Sequence, residues 1–389
     1  MKRTHPMMLT TLMVLYTSGS ASAQVPLDAP PPRGQITAAV TCAADPSQSY
    51  AVYIPSTYVP DRAWPVILAF DPGGRGRVAV DRYQAAAEQY GVIVAGSNNS
   101  RNGSPDTGKA VSVMAADVLS RFTVDAKRVY TAGMSGGARV ALGVALGSEA
   151  IAGVIASSAG YPDSKPRKRV AFPIFSTAGT EDFNHLEMRQ LDGALTTPHH
   201  LAIFEGGHVW LSSELAVEAV EWMDLQAMKT GRRARDETAI DRALARRVAA
   251  ARASRSDTDR FIALQSIGAD FEGLRDVRVL SAEATALGRE KRVRDALKQE
   301  RDEDNRELRM LDDVRLLEAQ LTSADTRREV LSGLRRRWKD LAEKAAKLED
   351  SVERRLARRV LGGLSASVTT TDPDYLAIIG EYRTGRGRR

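Results

Sequence analysis

The hydrophobic and polar positions of the chain follow two patterns, and the change between them falls near residue 230. Before that point, short apolar runs typical of buried strands alternate with stretches whose apolar residues recur every three or four positions. The apolar runs predict eight strands, of which the first two form a hairpin-like pair: 35–42, 49–54, 64–70, 92–95, 128–132, 152–156, 172–176 and 200–204.

The stretches between the later strands predict helices at 79–89, 111–121, 138–146, 181–191 and 211–229. Alternation of strands and helices with short connections is typical of a mostly parallel sheet covered by helices on both faces. We therefore predict an α/β domain over residues 35–230, preceded by an extended lead-in at 24–34.

Residues 231–389 show helical periodicity almost throughout, as in the apolar series Leu308, Leu311, Val314, Leu317 and Leu321. They predict an all-α accessory domain, with helices at 236–253, 257–267, 274–287, 291–321, 324–361 and 374–382. Two arrangements remain open. The helices form hairpins similar to tetratricopeptide-type repeats, or 291–361 forms a two-helix coiled-coil hairpin.

The distribution of charged residues also distinguishes the two parts of the chain. The chain has a net charge of +6, and residues 231–389 hold 36 Lys and Arg against 29 Asp and Glu. Interleaved opposite charges are typical of a solvated, salt-bridged helix face. The functional alternative is a basic surface for an anionic membrane face, a cell-wall polymer or a protein partner. The sequence contains no nucleic-acid-binding motif, so we expect no nucleic-acid partner.

The N-terminus has the features of a secretory signal peptide. Lys2 and Arg3 precede a short apolar core at 7–16, and Ala21-Ser22-Ala23 offers a cleavage site. We therefore predict a signal peptide over 1–23 and export to the periplasm or the medium.

Cys42 is the only cysteine of the chain, which excludes an intramolecular disulfide. Its apolar, strand-like surroundings predict a buried structural thiol. The chain has no Cys/His cluster with metal-ligand spacing, and we expect neither a metal nor an organic cofactor.

A candidate nucleophile lies in the turn Gly133-Met134-Ser135-Gly136-Gly137, between a predicted strand and a predicted helix. This strand–turn–helix context is that of a Gly-x-Ser-x-Gly nucleophile elbow, which exposes the serine hydroxyl at the top of a sheet. The alternative is an ordinary βα turn whose serine has no chemical role.

Two further residues complete a possible triad. Asp182 follows the seventh predicted strand and His208 follows the eighth, while Ser135 follows the fifth. In an open parallel sheet, active sites form at the carboxyl ends of the strands. A serine needs a neutral imidazole as base, and a carboxylate holds that imidazole in the right tautomer. Glu181 is the alternative acid. His185, His199 and His200 are expected at the surface.

Three segments together resemble a known superfamily: Asp71-Pro72-Gly73-Gly74, Gly-Met-Ser-Gly-Gly at 133–137, and Phe204-Glu205-Gly206-Gly207-His208. Over residues 35–230 the chain resembles the α/β-hydrolases, and within them the phospholipase/carboxylesterase and polyhydroxybutyrate-depolymerase-like esterases. The resemblance implies an eight-stranded α/β-hydrolase fold, with Ser135 as nucleophile, Asp182 as acid and His208 as base.

The oxyanion hole of such an enzyme needs two backbone N–H donors. One is Gly136, directly after the nucleophile, and the other is expected from Gly73, Gly74 or Arg75. Many esterases of this kind carry His-Gly at the start of the second loop, where this chain has Asp71-Pro72.

Two features suggest substrate contacts. Asn98 and Asn99, in the polar segment 98–102, are expected at the same end of the sheet, where they contact substrate or form an ordinary turn. Trp210 lines an acyl pocket or packs under the last helix of the domain.

Together these features predict an exported serine esterase that cleaves a small or polymeric carboxylic ester through an acyl-enzyme. Alternatives are a peptidase or thioesterase of the same fold, or a non-catalytic binding protein that acts through its helical domain. We also expect residues 35–230 to stay folded and active without 231–389.

Overall fold

The computed structural model describes residues 31–383. The predicted signal peptide at 1–23, residues 24–30 of the lead-in and the last six residues of the chain lie outside the described residues.

The first part of the chain forms one eight-stranded sheet in the order β1-β2-β4-β3-β5-β6-β7-β8. The pairs β1/β2 and β2/β4 are antiparallel and all other pairs are parallel. The strands are β1 Ile36–Cys42, β2 Asp45–Tyr53, β3 Trp64–Phe70, β4 Ile93–Ser97, β5 Val124–Met134, β6 Ile151–Ser157, β7 Ile174–Gly179 and β8 His199–Phe204. The predicted fold class is confirmed, because a mostly parallel eight-stranded sheet carries helices on both faces and a helical region follows it.

Five helices cover the two faces of the sheet: α1 Gly76–Tyr90, α2 Thr107–Arg121, α3 Gly136–Leu146, α4 His185–Ala194 and α5 Ser213–Lys229. The core between α2, α3 and the sheet includes Met114 and Leu142. The core on the opposite face, under α1 and α5, includes Tyr83 and Trp222. Because the central strands are buried on both faces, they read as continuous apolar runs, and for this reason their positions were predictable.

Seven further helices follow: α6 Glu237–Arg252, α7 Asp257–Phe271, α8 Arg278–Arg289, α9 Lys291–Gln320, α10 Arg327–Ala345, α11 Val352–Ala366 and α12 Pro373–Tyr382. The single helix predicted over 324–361 is wrong, because the chain breaks between α10 and α11. Ser351 caps α11 by accepting a hydrogen bond from the amide of Arg354 at 3.2 Å.

The two-helix coiled coil over 291–361 is also wrong. Helices α9 to α12 share one apolar cluster around Leu334 and Trp338, so three partners, not one, cover the apolar face of α10. Helices α6 to α8 build a second cluster, to which α5 contributes Leu225 and Met228. The helical region therefore shares buried side chains with the last helix of the α/β region.

A polar contact reinforces this shared core. The indole N–H of Trp222 in α5 donates to Asp270 Oδ1 of α7 at 2.7 Å, and Asp270 also pairs with Arg247 of α6 at 2.7 Å. Asp270 is almost fully buried. A buried carboxylate without these partners would be strongly destabilising, so the contact fixes α5 against the helices that follow.

Cys42 is fully buried, as predicted, and burial raises the pKa of its thiol to about 11. None of the helices within residues 31–383 combines the length and the apolar character needed to cross a membrane.

Candidate active site

Ser135 occupies the turn between β5 and α3, with φ of 54° and ψ of −124°. A positive φ is rare for a residue with a side chain and costs about 1–3 kcal/mol. The surrounding backbone holds it in place: the Ser135 amide donates to the carbonyl of Ser157 at 2.8 Å, and its carbonyl accepts from Ala138 at 2.9 Å. The hydroxyl is therefore presented at the carboxyl end of β5, beside the N-terminus of a helix.

His208 joins this hydroxyl to a buried carboxylate. Its Nε2 lies 2.8 Å from Ser135 Oγ, and its Nδ1 lies 2.8 Å from Asp182 Oδ1. The Asp182 side chain has no exposed area, whereas that of His208 is 18% exposed. The structure thus brings together the three residues expected to form the triad, from the ends of β5, β7 and β8.

The loop at residues 179–185, called here the acid loop, places the carboxylate. Asp182 Oδ1 also accepts a hydrogen bond from the Asn184 amide at 2.8 Å. The loop is fastened to the segment before His208, because Thr180 donates to Phe204 and Glu181 donates to Gly206, both at 2.8 Å through their amides. The acid and the base therefore lie on two backbones that are hydrogen-bonded to each other.

Glu181, the alternative acid, is turned to the helical region. Its carboxylate pairs with Arg354 at 3.0 Å and Arg358 at 2.6 Å, both on α11. Asp182 is the residue that contacts the imidazole, so the geometry favours it over Glu181 as the acid.

Phe183 is a site residue that the sequence reasoning missed. Its ring stacks on the imidazole of His208, with 3.9 Å between ring centroids and 29° between the planes. The only signal was its position directly after the acid, which does not reveal where the ring points.

Asp71 determines the conformation of the loop after β3, where the second oxyanion donor was expected. The amide of Gly73 donates to Asp71 Oδ1 at 2.8 Å, that of Gly74 to the Asp71 carbonyl at 3.1 Å, and that of Arg75 to Asp71 Oδ1 at 3.4 Å. All three candidate donors thus have an acceptor within the loop. Each could bind an oxyanion only by leaving Asp71.

The Asp71 carboxylate itself is fully buried and well partnered. It accepts from Arg75 Nε at 2.8 Å and from Trp210 Nε1 at 2.8 Å. Burial acts to raise the pKa of Asp71, but the hydrogen bonds from Arg75 and Trp210 outweigh it and hold the pKa below its ordinary value. Asp71 is therefore ionised at neutral pH.

Gly136 remains the best-placed oxyanion donor, since it is the first residue of α3 and first-turn amides have no intrahelical acceptor. The structure adds a neighbour that was not predicted. A Cβ on residue 136 would lie 1.7 Å from Asn102 Oδ1 and 2.9 Å from Asn102 Nδ2, so the Asn102 carboxamide fills the space beside the Gly136 Cα. The Asn102 amide donates to the Pro72 carbonyl at 2.8 Å, which holds it near the loop after β3.

Asn98 and Asn99 are placed elsewhere, and their suggested role in substrate binding finds no support. Asn98 Nδ2 donates to the Ala38 carbonyl at 3.1 Å, and Asn99 Oδ1 accepts from the Ser49 amide at 2.8 Å. Both side chains bind the turn after β4 to the β1–β2 hairpin. Of the polar segment 98–102, Asn102 is the member that reaches the nucleophile turn.

Trp210 packs beneath the helices, which agrees with the second of its two predicted placements. It is 7% exposed and lies edge-on to Tyr83 of α1, with 6.4 Å between ring centroids. Its contribution to the site is indirect, through the hydrogen bond to Asp71.

The expectation that three histidines lie at the surface is wrong for two of them. His185 is buried with Nδ1 3.0 Å from the Gly179 carbonyl, and burial lowers its pKa to about 4. His200 stacks on Phe175, its Nδ1 lies 3.0 Å from Ser266 Oγ of α7, and burial lowers its pKa to about 4. His199 is half-buried. The helical region covers the positions that the sequence pattern left exposed.

Within residues 31–383, no group of three or more His, Cys, Asp or Glu side chains is arranged to hold a metal ion. The arrangement of Ser135, His208 and Asp182 places a hydroxyl, an imidazole and a carboxylate in one hydrogen-bonded chain, the geometry that nucleophilic catalysis by a serine requires.

No protein-family model matches the chain, and no curated protein matches it in sequence. Solved structures resemble parts of it. A thermostable esterase matches at 17% identity and a TM-score of 0.38, over 48% of this chain and 61% of the esterase. The S-formylglutathione hydrolase FrmB of Staphylococcus aureus matches at 13% identity and a TM-score of 0.39, over 50% of this chain and 99% of its own.

A puromycin hydrolase matches at 18% identity and a TM-score of 0.37, over 51% of this chain and 39% of the hydrolase. This chain therefore spans less than two thirds of the length of two of these three proteins.

Proposed function

We propose that the protein is a serine hydrolase that cleaves carboxylic esters through an acyl-enzyme. One observation carries the proposal: Ser135, His208 and Asp182 form a continuous hydrogen-bonded chain, with both contacts at 2.8 Å. The serine at its end is held at a positive φ beside a helix N-terminus. Strain of this kind persists where the surrounding structure imposes it, and it is concentrated at functional sites.

In the first half-reaction, Ser135 Oγ forms a bond to the ester carbonyl carbon while its proton moves to His208 Nε2. The carbonyl electron pair moves to the oxygen, and a tetrahedral oxyanion results. The bond to the alcohol oxygen then breaks, and His208 returns the proton to the leaving alcohol. Asp182 accepts from Nδ1 throughout, which keeps Nε2 free to accept the proton and stabilises the imidazolium.

We assign the oxyanion to two donors, the Gly136 amide and the Asn102 carboxamide. The first follows from the position of Gly136 at the start of α3, and the second from the place of the Asn102 carboxamide beside the Gly136 Cα, with Nδ2 as the donating atom. Side-chain amides serve as oxyanion donors as well as backbone N–H groups do, and one such donor contributes about 10²–10³ in kcat.

In the second half-reaction, His208 takes a proton from water while the water oxygen adds to the acyl carbon, and a second tetrahedral oxyanion forms. The carbonyl then re-forms, the bond to Ser135 Oγ breaks, and His208 returns the proton to Ser135 Oγ as the acid is released. No step needs a group other than these residues and water. We also propose that the protein is exported, as residues 1–23 predict, and that its substrate is a small or polymeric ester. Binding of an anionic surface or protein by the helical region stays a prediction.

The test is a fluorophosphonate probe, which reacts with an activated serine, together with p-nitrophenyl ester hydrolysis. Wild type is compared with S135A and H208A, and with S112A and H199Q as matched controls away from the triad. We expect labelling and turnover in wild type and in both controls, and neither in S135A or H208A. Absence of wild-type labelling contradicts a hydrolase; labelling with cleavage of amides or thioesters but not esters contradicts the esterase.

A further inference from the structure

We infer that α11 of the helical region positions the catalytic base. Its arginines pair with Glu181 of the acid loop, and its glycines pack against Phe183, whose ring stacks on the imidazole of His208. This inference rests on the proposed function. It assigns a part in the reaction to residues that lie more than 140 positions after the triad along the chain.

The first contact is electrostatic. Glu181, directly before the acid, is 14% exposed and pairs with Arg354 and Arg358 on successive turns of α11. Arg358 also donates through Nε to the Ala345 carbonyl at the end of α10, which fixes the direction of its guanidinium. Half-buried pairs with such secondary contacts are less screened by solvent than pairs on an open surface.

The second contact is steric. Gly362 of α11 faces Phe183, and a Cβ on residue 362 would lie 3.1 Å from Phe183 Cβ. A Cβ on residue 363, the next glycine, would lie 3.9 Å from the same Phe183 Cβ. The two glycines therefore let α11 approach until Phe183 lies between the helix and the imidazole of His208. The ring has little space to move away from the base.

The third contact lies behind the acid loop. Arg359 of α11 and Glu307 of α9 form an ion pair at 2.9 Å, with side chains that are 6% and 1% exposed. Arg189 of α4, the helix that continues the acid loop, donates to Asp304 of α9 at 2.9 Å. Breaking a buried pair by removing one partner is strongly destabilising, so α9, α11 and the acid loop form a coherent unit.

These contacts reverse the expectation that the α/β region works without residues 231–389. The acid loop has its own hydrogen bonds to the segment before His208, but α11 contacts it on another side through Glu181 and Phe183. Without that cover, Glu181 loses its partners and Phe183 loses its support. A misplacement of about 1 Å costs on the order of 100-fold in rate, so loss of either contact should appear in kcat.

The electrostatic contact is tested in the full chain with the double variant R354Q/R358Q. R355Q is the matched control, since Arg355 lies on the same helix and pairs with Asp350 instead of Glu181. We expect kcat for p-nitrophenyl acetate and the fluorophosphonate labelling rate to fall about ten-fold or more in the double variant. KM should stay within about two-fold, because no substrate contact is removed. R355Q should match wild type.

The variant E181Q shows whether the effect passes through Glu181. If the arginines act by holding Glu181, E181Q lowers kcat similarly and the triple variant is no worse than the double one. If the kcat losses of E181Q and R354Q/R358Q instead multiply in the triple variant, the arginines act independently of Glu181, and an effect through Glu181 is contradicted.

The steric contact is tested with G362L against G380L. Gly380 lies in α12 with open space at its Cβ position, so a leucine there displaces nothing. We expect G362L to lower kcat with KM retained, and G380L to behave as wild type.

Melting temperatures are measured for all variants to separate positioning from unfolding. Wild-type kcat in both R354Q/R358Q and G362L would overturn the inference, as would losses that R355Q and G380L reproduce. Failure of the proposed function looks different, because wild type itself would then remain unlabelled.

Discussion

The α/β region and the helical region of this chain are held together by different means. In the α/β region, strands buried on both faces pack against helices, and large buried side chains such as Trp64 on one face and Phe175 on the other lie in two continuous cores. In the helical region the apolar clusters are smaller, and charged side chains make many of the contacts between helices, as Arg359 and Glu307 do. Under the function and the inference proposed above, this difference corresponds to a division of roles: the first region carries the reacting groups and the second holds them in place.

The first prediction has the largest expected effect and concerns a chain that ends at residue 230, without the helical region. The cut exposes Leu225 and Met228, and it removes Asp270, the partner of the Trp222 indole. It also removes α11 from the acid loop. We expect loss of soluble protein, or soluble protein without fluorophosphonate labelling, as seen by size-exclusion chromatography and labelling of the purified fragment. A soluble fragment with full activity would show that the α/β region is self-sufficient.

The second prediction compares the acid with its neighbour. In D182N the carboxamide favours the wrong tautomer of His208, so we expect kcat to fall by about 10⁴ while the fold is kept. E181Q should lose only about ten-fold, because Glu181 acts through position. Ester turnover of both variants measures the ratio of their kcat losses, and circular dichroism is the control for folding. Equal losses would contradict the assignment of Asp182 as the acid.

The third prediction concerns the oxyanion. N102A removes the carboxamide beside Gly136 and should lower kcat about 100-fold with little change in KM, since the contact forms mainly in the transition state. S104A, in the same loop, serves as the control. An unchanged kcat in N102A would return the second donor to Gly73, Gly74 or Arg75, after release from Asp71.

The smallest expected effect concerns the pH dependence of the helical region. Burial raises the pKa of Glu307 to about 7 in the folded protein, above its value of 4.5 in the unfolded chain. Between these two values the folded state binds more protons, so this group makes the protein less stable as the pH rises from about 4.5 to about 7. The contribution amounts to about 1–3 kcal/mol at most.

The measurement is urea unfolding of wild type and E307Q across that pH range. The stability difference, wild type minus E307Q, should decrease as the pH rises. His185 and His200 act in the opposite direction, because their lowered pKa values make the protein less stable below about pH 6.5. Both histidines are present in both proteins, so the difference isolates Glu307. A constant difference would contradict a raised pKa.

Much of the α/β region was predictable because its signals are local. The run 64–70 is apolar throughout and forms β3 with the predicted bounds, since a strand buried on both faces has no polar side to hide its pattern. The order of Ser135, Asp182 and His208 along the chain, each after a strand, was enough to predict that they meet.

The errors have physical reasons as well. The break between α10 and α11 was missed because the helical periodicity runs through 324–361, while the cap at Ser351 is a single polar residue among many. Asn98 and Asn99 looked equivalent to Asn102, because the direction of a side chain in a turn depends on what packs against it. His200 was expected at the surface because its cover, Ser266, is 66 positions away in the chain.

The amino-acid sequence alone predicted the strands in chain order and proposed Ser135, Asp182 and His208 as nucleophile, acid and base, because hydrophobic period and strand–turn–helix context are local properties. Only the tertiary structure decided how the site is supported. Arg358 reaches Glu181 across 177 positions, Trp210 reaches Asp71 across 139, and Phe183 lies between Gly362 and His208. Contacts of this kind depend on how whole elements pack, and no periodicity records them.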